Sequence, residues 1–84
     1  MVPIRVSWKG TSTALPGAKD LLILVEKNPS SLAASFLIPA GTDPNVSTRV
    51  KMGETSMVHA LIKADGKYYV ASREITVTLG GCGG

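Results

Sequence analysis

The only cysteine of this 84-residue chain, Cys82, lies third from the end and has two glycines on each side. A thiol can act as a nucleophile and can form disulfides or other covalent adducts. Glycine has no Cβ, and a glycine-rich run behaves as a flexible coil. We therefore predict that residues 80–84 form a mobile arm that carries one thiol and reaches roughly 17 Å when extended. The residues that give the arm its flexibility are Gly80, Gly81, Gly83 and Gly84.

The surroundings of Cys82 in the sequence do not activate its thiol. Cysteines with a lowered pKa lie at a helix N-terminus or beside a cation, and the arm offers neither. The terminal carboxylate of Gly84 disfavours a nearby thiolate. We therefore expect a partner's active site to supply the activation. A thiol that visits other enzymes is a carrier, as lipoamide is, and it is not a catalytic residue of its own chain.

The other residues with chemical potential form no recognisable catalytic set. The only histidine, His59, is predicted on the outward face of its strand beside Met57 and Leu61, as a surface or interface residue. A Cys82–His59 dyad is disfavoured, because a mobile arm holds a nucleophile poorly against its base. One histidine and one cysteine lack the ligands of a zinc site, so we predict no metal. Six acidic residues are predicted to be solvated charges: Asp20, Glu26, Asp43, Glu54, Asp65 and Glu74.

Composition indicates one folded domain with a thin core. The chain is 44% hydrophobic and only 18% charged. Its net charge of +3 is spread without a basic run, which argues against nucleic-acid binding. No apolar stretch approaches the roughly 18 residues of a membrane span. A single cysteine excludes an internal disulfide, so a Cys82–Cys82 bond would join two chains.

Alternating apolar and polar residues predict about seven short strands separated by turn signals. The continuous apolar run Leu21–Val25 indicates a central strand buried on both faces, with the start of a helix as the alternative. Asp65 and Gly66 form a two-residue hairpin signal. This pattern predicts an all-β, immunoglobulin-like antiparallel β-sandwich over residues 1–79, followed by the arm at residues 80–84. The predicted strands are Val2–Lys9, Leu21–Val25, Leu32–Ile38, Val46–Met52, Met57–Ala64, Lys67–Ala71 and Glu74–Leu79.

The end of the sequence resembles the SoxY family, the sulfur-carrier subunits of the periplasmic thiosulfate-oxidising system. The run from Ile75 to Leu79 leads directly into the cysteine set among glycines, as in that family. Three upstream segments, residues 25–29, 46–50 and 71–74, are also similar to family segments. The resemblance therefore covers nearly the whole chain.

The resemblance implies that Cys82 holds sulfur intermediates covalently while other enzymes act on them. The chain would form a heterodimer with SoxZ. The haem enzyme SoxAX would conjugate thiosulfate to Cys82, the dimanganese hydrolase SoxB would release sulfate, and SoxCD, where present, would oxidise the remaining sulfur. No cofactor besides these covalent intermediates is expected. The outward face bearing Met57, Leu61 and Tyr68 is the candidate docking surface for SoxZ.

The resemblance also implies a periplasmic location. Family members carry a twin-arginine leader and a further N-terminal segment, and since this sequence has neither we expect a shortened N-terminus. One alternative from the residues alone stays open. In it, the β-domain is an assembly module whose Cys82 forms an intermolecular disulfide, which predicts a reducible homodimer without sulfur adducts.

Overall fold

Every regular element in the described part of the chain is a β-strand. The computed structural model describes residues 1–7, 19–39, 42, 44–64 and 66–78. The strands are β1 (Val2–Ser7), β2 (Lys19–Val25), β3 (Leu32–Ile38), β4 (Asn45–Val50), β5 (Ser56–Ala64) and β6 (Lys67–Ile75). This confirms the prediction of an all-β chain.

The strands form two antiparallel sheets that share one core. The larger sheet has the order β3-β2-β5-β6, and the smaller sheet pairs β1 with β4. Ile4 of β1 and Val50 of β4 are buried in the same apolar cluster as Ile23 of β2 and Ile62 of β5. Two sheets with a common core make a β-sandwich, as predicted. The immunoglobulin-like strand topology stays a prediction.

Strand β2 lies at the centre of the larger sheet, between β3 and β5. Leu21, Ile23 and Val25 are completely buried on its inner face. Leu22 and Leu24, which point the other way, are only half-buried. The predicted strand is therefore confirmed and the helical alternative is wrong. Burial on both faces is only partly correct, because among the described residues a second layer covers one face of this sheet.

Strand β6 corrects the predicted strand count. The sequence predicted separate strands at residues 67–71 and 74–79, but one continuous strand covers Lys67–Ile75. Strand β5 offers a partner to every residue of β6, from Ala64 opposite Lys67 to Ser56 opposite Ile75. The ladder therefore continues through the predicted break. Residues 76–78 lie outside any strand, Leu79 is outside the described residues, and the described part of the chain has six strands.

The β5–β6 hairpin has the predicted two-residue connection. Ala64 and Lys67 are cross-strand partners, and Gly66 between them has a φ angle of +75°. Asp65 is not among the described residues, so the type I′ assignment stays a prediction. Strand β4 ends at Val50, two residues earlier than predicted, although Met52 still packs into the core.

Candidate functional site

The predicted carrier residue, Cys82, and its neighbours Gly80, Gly81, Gly83 and Gly84 lie outside the described residues. Their predicted roles therefore stay predictions. The structure does place the segment that leads to them, residues 76–78, and the surfaces around it. These surfaces determine what a thiol attached after residue 78 could reach and where a partner could dock beside it.

The chain is held against the sandwich up to Val77. The backbone N–H of Val77 donates a hydrogen bond of 2.9 Å to Oγ1 of Thr55. The side chains of Ile75 and Val77 pack against the core, whereas Thr78 is exposed. Cys82 is five residues beyond Val77. Chain geometry therefore limits the thiol to a radius of roughly 17 Å around this anchor.

The anchor lies at one end of the sandwich, where two connections are tied together. The turn after β2 donates from the Lys27 N–H to Oγ of Ser56 (3.1 Å) and from Nδ2 of Asn28 to the carbonyl of Lys51 (2.7 Å). Ser56 is buried and donates its own hydroxyl to the carbonyl of Met57. These bonds join the turn to the connection between β4 and β5, the same connection that holds Val77. The predicted arm therefore begins at a well-braced end of the domain.

His59 joins two side chains on the outward surface of the larger sheet. Its Nδ1 lies 2.7 Å from Oγ of Ser72, and its Nε2 lies 2.5 Å from Oε2 of Glu26. The outward position of His59 is confirmed. Glu26, predicted to be a solvated charge, instead pairs with the histidine while staying half-exposed. The pairing of Ser72 with His59 can be found from the sequence, because the register set by the hairpin at Gly66 places these two residues opposite each other. No sequence pattern indicated that Glu26 contacts His59.

With the proton on Nε2, Ser72 donates to His59 and His59 donates to Glu26. This is the order of groups in the Ser–His–acid relays of hydrolases. Here, however, the relay lies on an open sheet face, with 27% of the His59 side chain and 55% of the Glu26 side chain exposed. A catalytic relay needs a cleft that binds substrate and excludes water. We interpret it as a polar link that ties the turn after β2 to β5 and β6.

The same outward surface of the larger sheet also carries exposed apolar side chains. Leu37, Val70 and Tyr68 expose 70%, 63% and 61% of their surface, respectively. Lys63 lies over the Tyr68 ring at 5.8 Å from its centroid. Several large apolar side chains exposed on one face of a small domain mark an interaction site, and here Asp20 and Lys63 lie between Leu37 and Tyr68 in the same cross-strand row. We call this surface the outer face; its apolar side chains, placed by the strand registers, are Leu22, Leu24, Leu32, Leu37, Met57, Leu61, Tyr68 and Val70.

A comparison with protein families gives a match over residues 1–82, nearly the full chain, to the family described as "Sulfur oxidation protein SoxY". The chain belongs to the SoxY family. The matched residues include Cys82 and the two glycines before it. The family resemblance of the C-terminal sequence is therefore confirmed, and the chain has a role in sulfur oxidation. Comparisons with curated proteins and with solved structures give no significant match.

The SoxY match runs through Cys82, which lies outside the described residues. Among the described residues, no three histidine, aspartate or glutamate side chains come together as metal ligands. The described part of the chain also has no helix of the length and apolar character needed to cross a membrane. The sandwich of this SoxY-family chain presents three surfaces that a partner could contact. They are the outer face, the braced end that holds Val77, and the exposed side of the smaller sheet.

Proposed function

We propose that this chain is the covalent sulfur carrier of a thiosulfate-oxidising system and is not itself an enzyme. The observation that carries the proposal is the SoxY family match, which extends through the chain's only cysteine. The anchor at Val77 supports it, because the thiol is then attached to the end of a braced domain. The open position of the His59 link also supports it, because that link lacks the enclosure of a catalytic site.

The proposed cycle begins and ends at the thiol of Cys82. In the first step, the thiol and thiosulfate form an S–S bond, giving Cys–S–S–SO₃⁻. This step releases one proton and two electrons, which the haem enzyme SoxAX would accept one at a time and pass to an electron acceptor. In the second step, SoxB uses water to cleave the bond between the outer sulfur and the sulfonate group. Sulfate and two protons leave, and a deprotonated Cys82 persulfide (Cys–S–S⁻) remains for SoxCD, where present, or for another acceptor.

We further propose that the chain works in the periplasm as a heterodimer with SoxZ, which covers the outer face. The exposed apolar side chains of Leu37, Tyr68 and Val70 support this, because their burial against a partner would remove a large apolar area from water. The backbone of Val77 bonds to the connection between β4 and β5 and its side chain packs against the core, not on the outer face. A subunit on that face therefore leaves the start of the arm accessible to visiting enzymes.

The test is the intact mass of the SoxZ heterodimer after incubation with thiosulfate and SoxAX. We expect a thiosulfate-sized adduct on the wild-type chain and none on the Cys82→Ser variant, with the same circular dichroism spectrum for both. A synthetic peptide of residues 76–84 is the control for simple thiol reactivity. An adduct on the Cys82→Ser chain, or equal labelling of the peptide, would contradict the proposal. A reducible homodimer without any adduct would favour the disulfide-linked assembly module instead.

A further inference from the structure

The exposed side of the smaller sheet carries cations and no carboxylate. Neither β1 nor β4 contains an aspartate or a glutamate. The register sets Pro3 opposite Arg49 and Arg5 opposite Ser47, so the two arginines are diagonal neighbours on one surface. Lys51 follows β4 and is also exposed. We call this surface the basic face; it consists of Pro3, Arg5, Ser47, Arg49 and Lys51.

The two arginines of the basic face form no ion pair within the described ranges. The carboxylate contact in those ranges, between Glu26 and His59, belongs to the other sheet. Arg5 and Arg49 instead line an open, shallow depression on the surface of the paired strands β1 and β4. Neither arginine has an opposite charge across the ladder, since Arg5 faces Ser47 and Arg49 faces Pro3, so no cross-strand charge pair of theirs helps the sheet to form. The domain has few charged residues, so the presence of two neighbouring arginines on one sheet face is better explained by a role in binding a partner than by a role in folding.

The basic face is well placed to act together with Cys82. Strand β4 runs from Arg49 into the connection that contains Lys51 and Thr55, and Thr55 holds Val77. The cations thus continue towards the end of the sandwich where the predicted arm begins. The outer face lies on the opposite side, because the two sheets enclose the core between them. A partner on the outer face and a second partner on the basic face would not compete.

We propose that the basic face is the docking surface for an acidic surface on the enzymes that act on Cys82. The proposal rests on the proposed carrier function and specifies how the visiting enzymes are received. The chemistry favours a protein surface over a small anion, because the cations are exposed and spread over one side of a flat sheet. A small oxyanion needs converging, partly buried donors to bind well. Exposed complementary charge instead raises the association rate and makes it depend on salt.

The test compares two variants with the same change in net charge. Arg5→Ala/Arg49→Ala removes two positive charges from the basic face, and Lys67→Glu makes the same change beside the β5–β6 hairpin. With SoxZ heterodimers as substrate and SoxAX as enzyme, we expect the double variant to lower kcat/KM for adduct formation by about tenfold at low salt, with kcat unchanged. The difference should shrink as sodium chloride is added. The Lys67→Glu control should stay close to wild type.

Three outcomes would overturn the docking proposal. The first is an unchanged kcat/KM for the double variant at low salt. The second is an equal loss in both variants, which would indicate net charge alone. The third is a loss in kcat, since docking affects encounter and not the bound reaction. If wild-type protein forms no adduct, the carrier function fails, and the affinity of Cys82→Ser heterodimers for SoxAX still decides the docking question. That affinity should fall with salt and with Arg5→Ala/Arg49→Ala.

Discussion

Gly66 has a φ angle of +75°, a backbone conformation that residues with a Cβ rarely adopt. Nothing lies within 4 Å of the position a Cβ would occupy, so the penalty for a side chain is conformational and not steric crowding. A left-handed residue other than glycine costs about 1–2 kcal/mol. We therefore expect Gly66→Ala to lower the free energy of unfolding by about that amount, measured by urea denaturation.

Gly53 is the matched control for this prediction. It also has open space around its Cβ position, but its φ angle is not in the left-handed region. Gly53→Ala should change the free energy of unfolding by less than about 0.5 kcal/mol. If the two substitutions destabilise the domain equally, the explanation based on the φ angle of Gly66 is wrong.

At the same scale, the sequence predicted the outward position of His59 but not the partners of its ring. Alternation placed His59 on the outward face, and the hairpin at Gly66 fixes Ser72 as its cross-strand partner. Both positions depend only on local register. The bond to Glu26 depends on how the turn after β2 lies against β5, 33 residues along the chain. Such a contact follows from tertiary packing, which alternation and turn signals do not encode.

Among the elements, β2 contributes most to the core, and its two faces provide a direct comparison. Ile23 is completely buried between β3 and β5, whereas Leu22 is half-buried on the outer face. Truncation of a buried isoleucine to alanine leaves a cavity and costs about 2–5 kcal/mol. We expect Ile23→Ala to cost this much and Leu22→Ala to cost less than half as much, both measured by urea denaturation of the isolated chain. Equal losses would mean that the outer face is buried in solution.

The strands themselves were largely predictable, and the differences have identifiable causes. The β5–β6 turn was recognisable because Gly66 supplies the positive φ angle it requires. The prediction of two strands in place of β6 was wrong. It arose because the polar residues Ser72 and Arg73 interrupt the apolar pattern. Their backbones nevertheless pair with β5, because the backbone hydrogen bonds of an exposed strand do not depend on the polarity of its side chains. The one-sided burial of β2 could not be predicted, because an apolar run does not reveal whether a second layer covers it.

For the molecule as a whole, the outer face gives the prediction that concerns assembly. Leu37 and Val70 lie on β3 and β6, the two outermost strands of the larger sheet, and both are mostly exposed. Because they contribute little to the core, Leu37→Lys/Val70→Lys should leave the domain folded. If SoxZ covers the outer face as proposed, two charges placed there should weaken its binding by at least about tenfold. Isothermal titration calorimetry with purified SoxZ measures this change.

Ser7→Lys/Ser47→Lys is the control, because it adds the same charge to the opposite side of the sandwich. This variant should bind SoxZ as the wild-type chain does. Wild-type affinity in the Leu37→Lys/Val70→Lys variant would mean that SoxZ docks elsewhere and that the outer face has another partner. Weakened binding in both variants would point to net charge as the cause. Only a loss confined to the outer-face variant is consistent with a carrier that keeps its apolar sheet for a permanent subunit and its basic face for the enzymes that visit Cys82.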